Sequence, residues 1–85
     1  MYLLELNEKV VKDFNKIPLK ARSKIWEKIQ LLKEDPRPSG TRKLIERENE
    51  YRIRYGDHRV IYKVEDSPSN RIIIIQVGHR KDIYK

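Results

Sequence analysis

Residues Tyr51 to Tyr62 read Tyr-Arg-Ile-Arg-Tyr-Gly-Asp-His-Arg-Val-Ile-Tyr, and this stretch restricts the fold more than any other. Apolar and charged residues alternate on both sides of Gly56-Asp57, a dipeptide suited to a two-residue hairpin turn. Such a turn sets 55 opposite 58, 54 opposite 59, 53 opposite 60 and 52 opposite 61. Tyr51, Ile53, Tyr55, His58, Val60 and Tyr62 then share the face suited to a core, and Arg52, Arg54, Arg59 and Ile61 share the other. Arg54 and Arg59 are direct cross-strand neighbours, and like charges so placed are destabilising. An anion lying across them removes the repulsion, and RNA phosphate fits.

The rest of the chain supplies what this hairpin needs to fold. Met1 to Leu6 reads as a first strand. Asn7 suits a helix cap with Glu8 in the first turn, and Val10, Val11, Phe14 and Ile17 follow at helical spacing, for a helix to about Lys16. Pro18 fits the first turn of a second helix, whose apolar stripe is Leu19, Ile25, Trp26, Ile29 and Leu32. Trp26 is assigned to the core in preference to stacking on a base. Asp35 to Gly40 forms a loop, and Thr41 to Glu50 is a charged connection.

After the hairpin, Glu65 to Asn70 turns the chain. Arg71 to Val77 holds four consecutive isoleucines, which predicts a strand central in the sheet and covered on both faces. Gly78 is read as the strand's end and 79–85 as a polar tail. The predicted fold is α+β, in the order β-α-α-β-β-β: an N-terminal strand, a helix hairpin and a three-stranded antiparallel meander. The helices pack on one face of the sheet, in a single domain over residues 1–85. Arginine stems and chain ends are expected to shield the other face.

Charge narrows the partner. The net charge is +7 and the pI about 9.8, which favours a polyanion. Residues 1–40 carry seven lysines and two arginines, whereas 41–85 carry seven arginines and four lysines, and arginine forks suit phosphate. No stretch is long and apolar enough for a membrane span, and the N-terminus has no signal-peptide pattern. There is no cysteine, so disulfides and thiolate sites are excluded, which fits a reducing, cytoplasmic setting. There is no Gly-rich phosphate loop, no H-E-x-x-H and no nucleophile elbow, and His58 and His79 lack neighbours at metal-ligand spacing. A metal or cofactor is not expected, and an enzyme built from this chain works with Arg, Tyr and His.

The hairpin, the isoleucine strand and the ending Val77-Gly-His-Arg-Lys-Asp-Ile-Tyr84 resemble the RelE/ParE superfamily of toxins from toxin–antitoxin modules. Chain length, element order, Asp35-Pro36-Arg37 and Lys43-Leu44 extend the likeness over nearly the whole chain. The resemblance implies a RelE-like, ribosome-dependent endoribonuclease that cuts mRNA in the ribosomal A site, on the small subunit. It would be held inactive by a cognate antitoxin, acidic where it binds. The alternative the superfamily offers is a ParE-like toxin that binds and inhibits DNA gyrase without cutting RNA, and a nucleic-acid-binding module without catalysis is a third reading.

By the same resemblance, Arg52 and Arg54 correspond to basic residues of the first hairpin strand and Arg59 to an arginine of the next. Arg80 corresponds to an arginine after the last strand, and Tyr84 to a tyrosine near the C-terminus. Arg52, Arg54 and Arg59 are assigned to phosphate binding and to the charge that grows in the transition state, because a guanidinium exchanges protons poorly. Arg80 is a further clamp or the group near the leaving oxygen. Tyr84 is a general base or a platform for a base. His79 is a candidate acid or base, and Lys43 and Lys81 are RNA contacts. Against these stand plainer roles: His58 as a sheet residue, Arg59 in a surface ion pair with Glu50 or Glu65, worth roughly 0–1 kcal/mol, and Arg71 at a strand start.

Overall fold

The computed structural model describes residues 1–45 and 47–83. Strand β1 (Leu3–Glu5) is followed by helices α1 (Glu8–Asn15) and α2 (Leu19–Leu31). Strands β2 (Arg42–Lys43), β3 (Glu50–Tyr55), β4 (His58–Glu65) and β5 (Arg71–His79) come next, and α3 (Arg80–Ile83) closes the described chain. They make one sheet in the order β1-β5-β4-β3-β2, antiparallel except where β1 runs parallel to β5. The architecture is α+β, as the sequence pattern predicts.

The local signals act as read. The Asn7 side chain accepts a hydrogen bond from the Val10 N–H at 2.8 Å, satisfying one of α1's unpaired donors. Pro18 caps α2. Val10, Ile17, Ile25, Ile29 and Leu32 lie on Ile53, Val60, Tyr62, Val64, Ile72, Ile74 and Val77, so the helix hairpin covers one face of the sheet. A register shift at Ile61/Tyr62 moves the β4 partner from Gln76 to Ile74, and this lets Ile72, Ile74 and Val77 all reach that face. The β3–β4 pairing is the predicted one, from Tyr55↔His58 through Arg54↔Arg59 to Arg52↔Ile61.

Several expectations need correction. Trp26 is 38% exposed and meets Phe14 at a tilted 5.8 Å, so it edges the core, and Leu19 lies outside it. Strand β5 is interior, but Ile73 and Ile75 are only partly covered, so the isoleucine run is buried on one face alone. Gly78 does not end the strand: it pairs opposite Arg59 and the ladder continues to His79. The tail then turns into α3 instead of trailing as a polar end. The charged 41–50 connection contributes β2, which the apolar pattern cannot reveal because its two residues are both charged and exposed.

The sheet end beyond β4 is tied by ion pairs. Arg37 Nη2 donates to Asp66 Oδ2 at 2.8 Å and Arg37 Nε to the Tyr51 hydroxyl at 3.0 Å. The Tyr2 hydroxyl donates to Asp66 Oδ1 at 2.6 Å, and the Tyr62 hydroxyl to the Pro36 carbonyl at 2.7 Å. Hydrogen bonds from Arg37 and Tyr2 hold the Asp66 carboxyl below its ordinary range, and the same carboxylate pushes the Tyr2 phenol up. Arg71 links Glu65 and Glu5, tying β1 to the rest of the sheet. These cations are occupied at home. Those at the hairpin-turn end are arranged differently.

Candidate nucleic-acid interface

Strand alternation sends Ile53, Val60 and Tyr62 into the core, and therefore sends Arg52, Arg54 and Arg59 to the sheet face away from the helix hairpin. Strand β2 extends this row. Arg42 pairs opposite Arg52, so its side chain belongs to the same face. Lys43 pairs opposite Tyr51 and belongs to the other face. The basic residue that joins the row is thus Arg42, not Lys43. Only the existence of β2 decides between these two neighbours.

Arg59 differs from the others. Arg54 is exposed, whereas Arg59 is only 8% exposed. Its Nη1 donates to the Gly56 carbonyl at 3.1 Å and the His58 carbonyl at 3.2 Å, folding the side chain back beneath the turn. Its Nε is buried and has no hydrogen-bond partner among the described residues. The surface ion pair with Glu50 or Glu65 does not form: Glu50 takes Arg47, and Glu65 takes Arg71 and Lys63. Across the ladder from Arg59 the chain is bare. Gly78 stands opposite it with no side chain, and Ile83 of α3 lies where a Cβ on Gly78 would be 3.9 Å from its Cγ1. Ile61 on this face and Ile83 of α3 are buried.

Arg80 is brought to the same end. Its backbone N–H donates to the Asp57 carbonyl at 2.8 Å, and its Nε lies 3.8 Å from Asp57 Oδ1, with the side chain 57% exposed. Lys81 is exposed on α3. His79 is not brought to the arginines. Because β5 continues through Gly78, His79 falls opposite His58 and shares the helix-side face, beside Lys9, Asp13 and Lys16 of the α1 region. The two imidazoles meet edge to face at 5.6 Å, and His79 Nδ1 accepts the Lys81 N–H at 3.1 Å. Tyr84 lies outside the described residues. Among those that are described, no group of three or more His, Cys, Asp or Glu is placed to hold a metal, and no helix is long and apolar enough to cross a membrane.

The geometry is therefore an arginine row, Arg42, Arg52, Arg54 and Arg59, running across three strands toward Arg80 at the turn. Guanidinium forks grouped in this way bind phosphate oxygens and stabilise added negative charge. They supply no proton carrier of their own.

Comparison with known proteins identifies the fold and the family. Residues 4–84 match the family described as the ParE toxin of the type II toxin–antitoxin system, parDE. Among solved structures, the isolated E. coli RelE toxin superposes with a TM-score of 0.81 at 26% identity, covering 99% of this chain and 92% of that one. The intact E. coli RelBE toxin–antitoxin complex matches with a TM-score of 0.81 at 26% identity, over 93% and 96% of the two chains. The archaeal RelE–RelB complex from Pyrococcus horikoshii OT3 matches with 0.80 at 28% identity, over 93% and 94%. No curated protein sequence matches.

Proposed function

The chain belongs to the RelE/ParE superfamily of type II toxins, and from that premise we propose that it is a metal-independent, ribosome-dependent endoribonuclease cutting mRNA in the ribosomal A site. The observation that carries this reading is the Arg54–Arg59 cross-strand pair, with Arg59 buried beneath the turn and its Nε unpartnered. Two arginines at directly opposed strand positions, one of them under-satisfied, are costly in a protein that binds nothing there. They are useful where a phosphate lies across them.

In the proposed reaction the 2′-oxygen attacks the adjacent phosphorus and its proton leaves to a base. The bond from phosphorus to the 5′-oxygen breaks, and that oxygen takes up a proton. The products are a 2′,3′-cyclic phosphate and a 5′-hydroxyl. Arg52 and Arg54 hold the non-bridging oxygens. Arg59 offers its charge from below as the phosphorane gathers negative charge, which is worth most in a site that excludes water. Arg80 stands near the leaving oxygen. Tyr84 is the base, or stacks on the substrate and orients it. His79, on the opposite face, is given no part in the chemistry. The partners are the ribosome, mRNA and an antitoxin with an acidic binding segment, all in the cytoplasm.

A second reading, a gyrase-binding ParE-like toxin, is favoured by the description of the matching family. The two are separated by incubating the purified protein with translating ribosomes and locating cut sites by primer extension, alongside a gyrase supercoiling assay. Codon-phased cuts support the nuclease. Intact message together with blocked supercoiling overturns it in favour of the second reading.

A further inference from the structure

The arginine row does not stop at the sheet face. Along the outer edge of β3 runs an open groove of about 760 Å³, walled by Lys28 and Leu31 of α2 on one side and by Arg42, Arg52 and Arg54 on the other. Among the described residues, none that lines it is acidic. Lys28 and Arg42 form no ion pair among the described residues, whereas the cations at the far end of the sheet are matched to Asp66, Glu65 and Glu5. Leu31, 66% exposed, and Pro38 give the groove an apolar wall of the kind a nucleobase can lie on.

The backbone favours the same kind of ligand. A two-residue hairpin closed by Tyr55↔His58 bonds the odd residues of β3 to β4, so the peptide groups of Glu50, Arg52 and Arg54 face outward. The Leu44 N–H bond to the Glu50 carbonyl at 2.9 Å fits this pattern. Strand β2 pairs only with Tyr51 and Arg52, so Arg54 alone turns an uncovered peptide N–H into the groove before the turn. One residue of open edge is too little ladder for an added protein strand. It is enough to support a phosphate oxygen beside a guanidinium.

We propose that this groove is a second RNA-backbone site. It takes the single-stranded RNA adjoining the cleaved phosphate, with Lys28, and Arg42 from the end of the arginine row, as its phosphate ligands. The proposal rests on the nuclease reading for its continuity, since Arg52 and Arg54 border both the groove and the sheet face.

The test measures binding of a 2′-O-methyl oligoribonucleotide, which has no attackable hydroxyl, by fluorescence anisotropy over a salt series. The full chain is compared with Lys28→Gln/Arg42→Gln and with Lys12→Gln/Lys20→Gln, which removes the same charge from exposed helix positions outside the groove. Loss of two single-strand phosphate contacts should flatten the slope of log K against log salt by about 1.4, a weakening of about 25-fold at 0.1 M if the curves converge near 1 M. The control pair should leave the slope unchanged. An unchanged slope for the groove variant, equal flattening in the control, or loss of antitoxin binding with RNA binding intact would each overturn the proposal. Message cleavage by the unaltered protein is assayed in parallel. Cleavage with an unchanged groove slope sinks the groove alone, and groove-dependent binding without cleavage sinks the nuclease reading alone.

Discussion

Replacing Arg59 with methionine is expected to make the protein more stable and at the same time non-toxic. Arg59 is 8% exposed, and its buried Nε has no partner among the described residues, a defect worth about 1–3 kcal/mol. The opposed charge of Arg54 adds a few tenths of a kcal/mol, roughly at the low end for cross-strand pairs. On the other side of the balance are the two hydrogen bonds from Nη1. Their acceptors are carbonyls beside a solvent-exposed turn, where water can replace the guanidinium, so their net worth is about 1 kcal/mol. Methionine keeps an unbranched stem and has no charge to desolvate. The expected change is a gain of about 1 kcal/mol, or roughly 4–8 °C in Tm for a domain of this size. Arg59→Ala should move the other way, because it also loses about three methylene-sized groups of packing at roughly 0.8 kcal/mol each. Urea unfolding of the three proteins with a common m-value checks this, and growth arrest on induction reads function. A methionine variant less stable than the unaltered protein by more than about 1 kcal/mol would refute the view that Arg59 is held at a cost to folding.

Arg80→Ala should abolish growth arrest while shifting stability by no more than about 0.5 kcal/mol, since its contact with Asp57 is long and exposed; an unfolded or fully toxic variant contradicts this. The Asp66 carboxyl has its folded pKa below the ordinary 3.8, so its contribution is present above that pH and disappears as pH falls through the lower folded value. The stability gap between the unaltered protein and Asp66→Asn should therefore be open at neutral pH and close in acid. A gap that persists at the acid end removes the Arg37–Asp66 pair as its cause. Gly78→Ala places its methyl in ordinary contact with Ile83 and stiffens the unfolded chain, so it should stabilise by about 0.4–1 kcal/mol. A fall in the urea midpoint would show that α3 packs more tightly on β5 than the 3.9 Å contact implies.

Much of the fold is legible in the sequence because its signals are short-range. The turn at Gly56-Asp57 sets every pairing between β3 and β4, and Asn7 and Pro18 mark the helix starts. Period-2 and helical spacing assign Ile53, Val60, Ile25 and Ile29 to one core. Less of the candidate site can be read there. Its arginines are visible as residues, but their environments are made by segments far away in the chain. Arg59 is folded beneath the turn onto the Gly56 and His58 carbonyls, opposite a bare Gly78 that lies far along the chain, and no pattern around Arg59 announces that partner.

The sequence determined which residues oppose one another across the β3–β4 hairpin, since alternation and a two-residue turn are properties of the local backbone. The tertiary structure decided where strands begin and end. It recruited Arg42 in place of Lys43 through a two-residue β2. It carried β5 past Gly78, which sent His79 to the helix side. Both follow from pairing with a neighbouring strand, a contact whose free energy belongs to two distant segments together and is written in neither alone.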